Sequence, residues 1–178
     1  MNSTGFSTVA AEADRRRALV AGLEAELAES PSVSRVLSRW CRARGLGDRI
    51  AAVRDPGVDL PDDAAVRSRL HATPGEPVRY RRVALTCGAR VLCLADNWYR
   101  PARLTPAMNL ALDATDTPFG LVIAPLGYRR LRFESRSAWE YGDPPGHVLC
   151  QRAVLLVDDA PVSYVIERYT EAVFDDGP

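Results

Sequence analysis

The sequence predicts an α+β fold in which helices come first and a mostly antiparallel sheet, covered on one face by them, follows. Three observations predict it. Two amphipathic stripes with helical spacing occupy the first quarter of the chain. Two β-rich runs around a short glycine connection fill 78–101. The last third carries two long apolar runs joined at Asp158-Asp159-Ala160-Pro161. No linker or internal repeat interrupts the chain, so 1–178 reads as one domain with 1–12 as a loose N-terminal arm.

From about Ala13 to Ser30, Leu19, Val20, Leu23 and Leu27 follow helical spacing with charges between them. Pro31 breaks the pattern. Val33, Val36, Leu37, Trp40 and Cys41 then recur at i, i+3, i+4, i+7 and i+8, with Ser32 or Ser34 as N-cap and Gly45 and Gly47 ending the helix. Arg49 to Arg54 is a short strand, Asp55-Pro56-Gly57 a turn, and Ala64 to Leu70 a short helix. Pro74-Gly75-Glu76-Pro77 launches the hairpin. Thr105 and Pro106 open a helix reaching Leu112, because a proline at the first turn loses no helical hydrogen bond. Thr117-Pro118-Phe119-Gly120 is a tight turn, and Leu121 to Leu126 is ambiguous between strand and helix. An arginine-bearing strand spans 127–139, Gly142 to Gly146 forms a turn, and Val148–Val157 and Val162–Val173 close the sheet.

Composition excludes whole classes of function. The chain has 47% hydrophobic and 26% charged residues, which is globular rather than disordered. Zero net charge leaves no basic excess for a nucleic-acid backbone or an anionic membrane. All 23 basic residues are Arg, so Schiff-base chemistry and a P-loop lysine are ruled out. The cysteines at 41, 87, 93 and 150 and the two histidines have no metal-ligand spacing, and no cofactor is expected. No run approaches transmembrane length, and the N-terminus lacks a signal-peptide core, so a cytoplasmic protein is expected.

The hairpin's first run interleaves Val78, Tyr80, Val83 and Leu85 with Arg79, Arg81 and Arg82. Strand side chains alternate, so Arg81 and Arg82 point to opposite faces and one of them meets the covered side. A buried guanidinium is costly unless it meets an anion, and its fork suits a carboxylate. Glu167 lies inside the last strand. An Arg and a Glu on interior positions of different strands either pair with each other or share a ligand. His71 and His147 sit beside Pro/Gly loops without a nucleophile, and Asp158-Asp159 reads as a hairpin turn, not a metal site.

At these residues the chain resembles the chorismate pyruvate-lyase (4-hydroxybenzoate synthase) family over nearly its whole length. The resemblance rests on Leu27 to Ser34, on Arg82-Val83-Ala84-Leu85 through Pro101, on Thr117-Pro118-Phe119-Gly120, and on Glu167 six residues after Pro161. It implies a cofactor-free carbon–oxygen lyase that eliminates pyruvate from chorismate to give 4-hydroxybenzoate. Arg82 and Glu167 would be catalytic, and Arg82, Phe119, Val33 and Ser32 would bind a small anionic substrate, with no nucleic acid and no membrane span involved. Phe119 stands where that family has leucine, and Val33 where it has methionine. These departures motivate another elimination or cyclisation on the same scaffold as an alternative. Pro74 to Arg82 also resembles the opening strand of UTRA effector-binding domains, which implies a stand-alone small-molecule-binding module instead.

Overall fold

The computed structural model describes residues 3–137 and 146–175. Its order is α1 (Ser3–Glu29), α2 (Val33–Ala43), β1 (Ile50–Arg54), α3 (Ala64–Leu70), β2 (Arg79–Cys87), β3 (Arg90–Tyr99), α4 (Pro106–Ala114), α5 (Phe119–Val122), β4 (Arg129–Ser137), β5 (His147–Val157) and β6 (Ala160–Thr170). The six strands form one sheet in the order β1-β2-β3-β6-β5-β4, and every neighbouring pair is antiparallel. The α+β expectation therefore holds.

Helix α1 begins ten residues before the apolar stripe does, so the loose arm expected over 1–12 is corrected to helix from Ser3 onward. Ala10, Ala11 and Ala13 are strong helix formers, and Glu12 accepts from Arg15 and Arg16 one turn on, so no apolar face is needed there. Ser32 caps α2, its hydroxyl accepting the Arg35 amide hydrogen at 3.4 Å. The ambiguous 121–126 run resolves as helical, α5 followed by a 3₁₀ turn at Ala124–Leu126 that ends on Gly127 at φ +64°. The turn expected at 142–146 falls mostly outside the described residues. Asp158 and Asp159 do make the β5–β6 turn, both with positive φ (+48° and +61°), as a two-residue hairpin demands.

The covered face carries the main core. Val20, Leu23 and Leu27 from α1 and Val36, Leu37, Trp40 and Cys41 from α2 meet Val83, Leu85 and Cys87 of β2, Cys93 and Ala95 of β3 and Tyr169 of β6. Trp40 Nε1 donates to the Val173 carbonyl at 2.9 Å, fixing the C-terminal 3₁₀ turn to α2. The opposite face is partly covered as well: α3 sets Val66 and Leu70 on Trp98, Val154, Leu156 and Tyr164. All four cysteines are buried and none is in a disulfide.

Candidate functional site

Register decides which arginine meets the core. Arg81 pairs with Asn97, which pairs with Val165; Arg82 pairs with Asp96, which pairs with Ile166. These rows project to opposite faces. The Arg81 row faces the helices, where a cavity of about 50 Å³ opens between sheet and helices. Val83, Ala95 and Val165 are its floor, with Arg81 at one side and Arg130 and Glu167 at the other; Val33, Phe119 and Tyr128 are among its other walls. The void lies over Ala95, whose single methyl stands between Val83 and the longer Glu167 in its cross-strand row.

Arg81 is the unusual group. It is 4% exposed, and none of its three guanidinium nitrogens has a hydrogen-bond partner among the described residues. Burial pushes its pKa down, and the neighbouring Arg54 charge adds to the effect. Buried charges are ordinarily paired, so an orphaned guanidinium facing a cavity is a cation prepared for an anion.

Arg130 and Glu167 are already paired. Arg130 donates through Nη1 to Glu167 Oε1 at 3.2 Å and through Nη2 to Oε2, and both side chains are buried. Burial alone would lower the Arg130 pKa; the Glu167 carboxylate, with Tyr169 and Tyr128 beside it, more than offsets this and raises it. Tyr169 donates to Glu167 Oε2 at 3.3 Å, and burial holds that phenol well above its ordinary pKa.

Arg82, expected at the site, is corrected to the far face of the sheet. It forks onto Asp96 at 2.7 and 3.1 Å, and Arg168 reaches the same carboxylate at 2.6 Å. Tyr80 donates to it as well. Burial raises the Asp96 pKa, but these three partners outweigh it and hold the carboxyl below the usual range. Arg82 is thus saturated, and its place at the cavity is taken by Arg81. Val33, Phe119 and Glu167 do line the cavity, whereas Ser32 serves as the α2 cap beside it. Sequence reasoning missed Arg130, Tyr128 and Asn97. The arginine run 129–136 was the only signal for Arg130.

Tyr128 closes one side. Its hydroxyl donates to the Pro31 carbonyl at 3.3 Å, and a Cβ on Gly120 would lie 2.6 Å from that oxygen. Only glycine admits the phenol there. Among the described residues no cluster of His, Cys, Asp and Glu is arranged to hold a metal ion. No helix of theirs is long and apolar enough to cross a membrane.

No family model matches the chain. It is 39% identical over 180 residues to the uncharacterized protein y4mC of Sinorhizobium fredii (strain NBRC 101917 / NGR234), covering 89% of this chain and 76% of that one. Among the solved structures that share its fold are two from Mycobacterium smegmatis. The effector domain of PhnF from Mycobacterium smegmatis matches with a TM-score of 0.54 at 18% identity, over 80% of this chain and 92% of that one. A second structure of PhnF matches at 0.57 and 17%, over 80% and 64%. The fold is the one common to UTRA effector-binding domains and chorismate lyase-like proteins. The lyase expectation is corrected accordingly: these neighbours are effector domains, not lyases, and Glu167, the acid such a reaction would call on, is committed to Arg130.

Proposed function

The chain belongs to the same family as y4mC of Sinorhizobium fredii, and from that premise we propose that it is a UTRA-like small-molecule-binding domain whose cavity takes a small anion on Arg81. The observation that carries this reading is the buried, unpartnered Arg81 guanidinium at the cavity wall. A carboxylate meeting its fork makes charge-assisted hydrogen bonds and removes an unpaired buried charge in one step. Much of the remaining lining favours an apolar body behind that anion, since Val83, Leu85, Ala95, Phe119, Leu155 and Val165 offer no polar side chain, while Ser34, Asn97 and Tyr128 add neutral polar groups. The Arg130–Glu167 pair is internally neutral, so one positive charge awaits compensation inside. We read 1–178 as a single domain built around this cavity.

The test is calorimetric titration and thermal shift with acetate, formate and inorganic phosphate, with neutral acetamide as control, on the unaltered chain and on Arg81→Gln. A carboxylate should bind and raise the melting temperature in proportion to its occupancy, acetamide should not, and Arg81→Gln should weaken carboxylate binding about ten-fold or more. Equal binding of acetate and acetamide, or an unchanged affinity in Arg81→Gln, would overturn the proposal.

A further inference from the structure

The inner cavity is too small to be the whole site. An apolar cavity that accepts benzene measures about 150 Å³, three times the space present here. A second pocket of about 270 Å³ adjoins it, between the α1–α2 connection and β4, and the two share Pro31, Tyr128 and Arg130 as lining. The partition between them is slight. The half-buried Tyr128 ring packs at the margin of the Ile123–Leu155 cluster, its hydroxyl meets the Pro31 carbonyl at 3.3 Å and Ser32, and it follows Gly127, a left-handed residue with open space around it. A half-buried ring at the edge of its cluster, on a residue that follows a glycine, is displaced more easily than the paired sheet floor beneath it.

The outer pocket carries three arginines, Arg129, Arg130 and Arg132, against one acidic residue, Glu29, which is exposed at its rim. Arg129 is spoken for by Asp159. Arg132 is different: it donates Nη2 to the Leu27 carbonyl at 2.9 Å, its buried Nε has no partner, and no carboxylate among the described residues pairs with it. Arg81 and Arg132 lie at the two ends of one cross-strand row, Arg81–Asn97–Val165–Ala153–Arg132, which runs beneath both chambers. Four strand spacings separate their backbones, about 19 Å. Between the two ends stands the Arg130–Glu167 pair, already balanced.

Building on the anion reading of the inner cavity, we propose that the two chambers are one binding site for an elongated dianion, with one carboxylate on Arg81, the other on Arg132, and Tyr128 swung aside to let its apolar middle pass. Glu29 at the outer rim is exposed to water, so the two cations without a carboxylate partner, Arg81 and Arg132, favour two anionic groups, and the partition requires length. A short monoanion satisfies only the inner half. Tyr128 is then the residue that sets how long a ligand the site accepts.

The experiment is titration of the full chain with the straight-chain dicarboxylates from succinate to sebacate, each beside the monocarboxylate of equal carbon number, repeated on Arg132→Gln, Tyr128→Ala and Arg81→Gln. The expected result is an affinity maximum at one intermediate chain length, about ten-fold or more over the matched monocarboxylate. Arg132→Gln should erase that preference while leaving monocarboxylate affinity unchanged. Tyr128→Ala should speed association of the longer dicarboxylates. Equal binding of mono- and dicarboxylates, both dependent on Arg81, would overturn the two-chamber site and leave the inner anion site standing. Binding that ignores Arg81 altogether would overturn both. A circular dichroism spectrum and melting curve for each variant separate lost binding from lost folding.

Discussion

Arg81→Met makes the sharpest prediction, because a binding role and a structural role demand opposite signs. In the ligand-free protein Arg81 is a buried cation without a partner. Replacing even a well-paired buried ion pair by apolar side chains of similar volume is often neutral or stabilising by about 1–4 kcal/mol. Arg81 gives up no partner energy when it is replaced, so the gain belongs in that same interval. Methionine is unbranched and flexible enough to lie along the path of the arginine stem and fill part of the void. For a chain of this size each kcal/mol moves the melting temperature by about 2–4 °C. The assay is differential scanning calorimetry in a buffer free of carboxylate and phosphate, since a bound anion would stabilise the wild type by mass action and hide the effect. Arg81→Met should melt higher than wild type there, and added acetate should raise wild type but not the variant. A variant that melts lower in the anion-free buffer refutes the reasoning, because Arg81 would then be a partner that the fold itself needs.

Ala95→Val adds two methyl groups to the cavity floor; burying them contributes about 0.8 kcal/mol each, so urea unfolding should show stability unchanged or up by about 1 kcal/mol while acetate binding disappears from titration. Asp96→Asn should cost about 2–4 kcal/mol at pH 7, discounted from the cost of breaking a fully buried pair because Arg82 and Arg168 keep 26% and 33% of their side-chain surface in water. The Asp96 carboxyl is depressed in the fold, so its contribution is present above the unfolded carboxyl pKa of about 3.9 and is lost as pH falls through the lower folded value. Denaturation curves of wild type and Asp96→Asn should therefore diverge above about pH 4 and converge below it.

The fold was legible because its signals are local. The Gly88 turn, the Thr105-Pro106 cap and the helical spacing from Val33 to Cys41 each fix an element without reference to distant residues. The Arg81 choice was legible too, and the resemblance drew attention away from it: Arg81 is in phase with Val83, Leu85 and Cys87, the buried side of β2, whereas Arg82 is in phase with Thr86 and Tyr80. The Glu167 partner could not be read. It depends on two successive antiparallel registers, both carrying bulges, that bring β4 within reach of β6, and a one-residue slip would send Arg130 to the other face. The start of α1 was missed for a simpler reason: helix propensity and i,i+4 pairing leave no hydrophobic period to detect.

The sheet order has a consequence for how the cavity comes into being. Strands β1 to β3 and β4 to β6 are two meanders, the first carrying α3 in its β1–β2 connection, and among the described residues the only ladder joining them is β3 against β6. That seam brings Cys93 to Tyr169 and Ala95 to Glu167 across more than seventy residues of chain, the costliest closure in the topology. Arg81 and Ala95 belong to the first meander, and Val165, Glu167 and Arg130 to the second. The pocket thus has no existence within either half and is assembled only as the halves dock. A ligand held from both sides is a clasp across the seam, and occupancy would be felt first as slower parting of the two meanders, with the local hairpins within each largely indifferent to it.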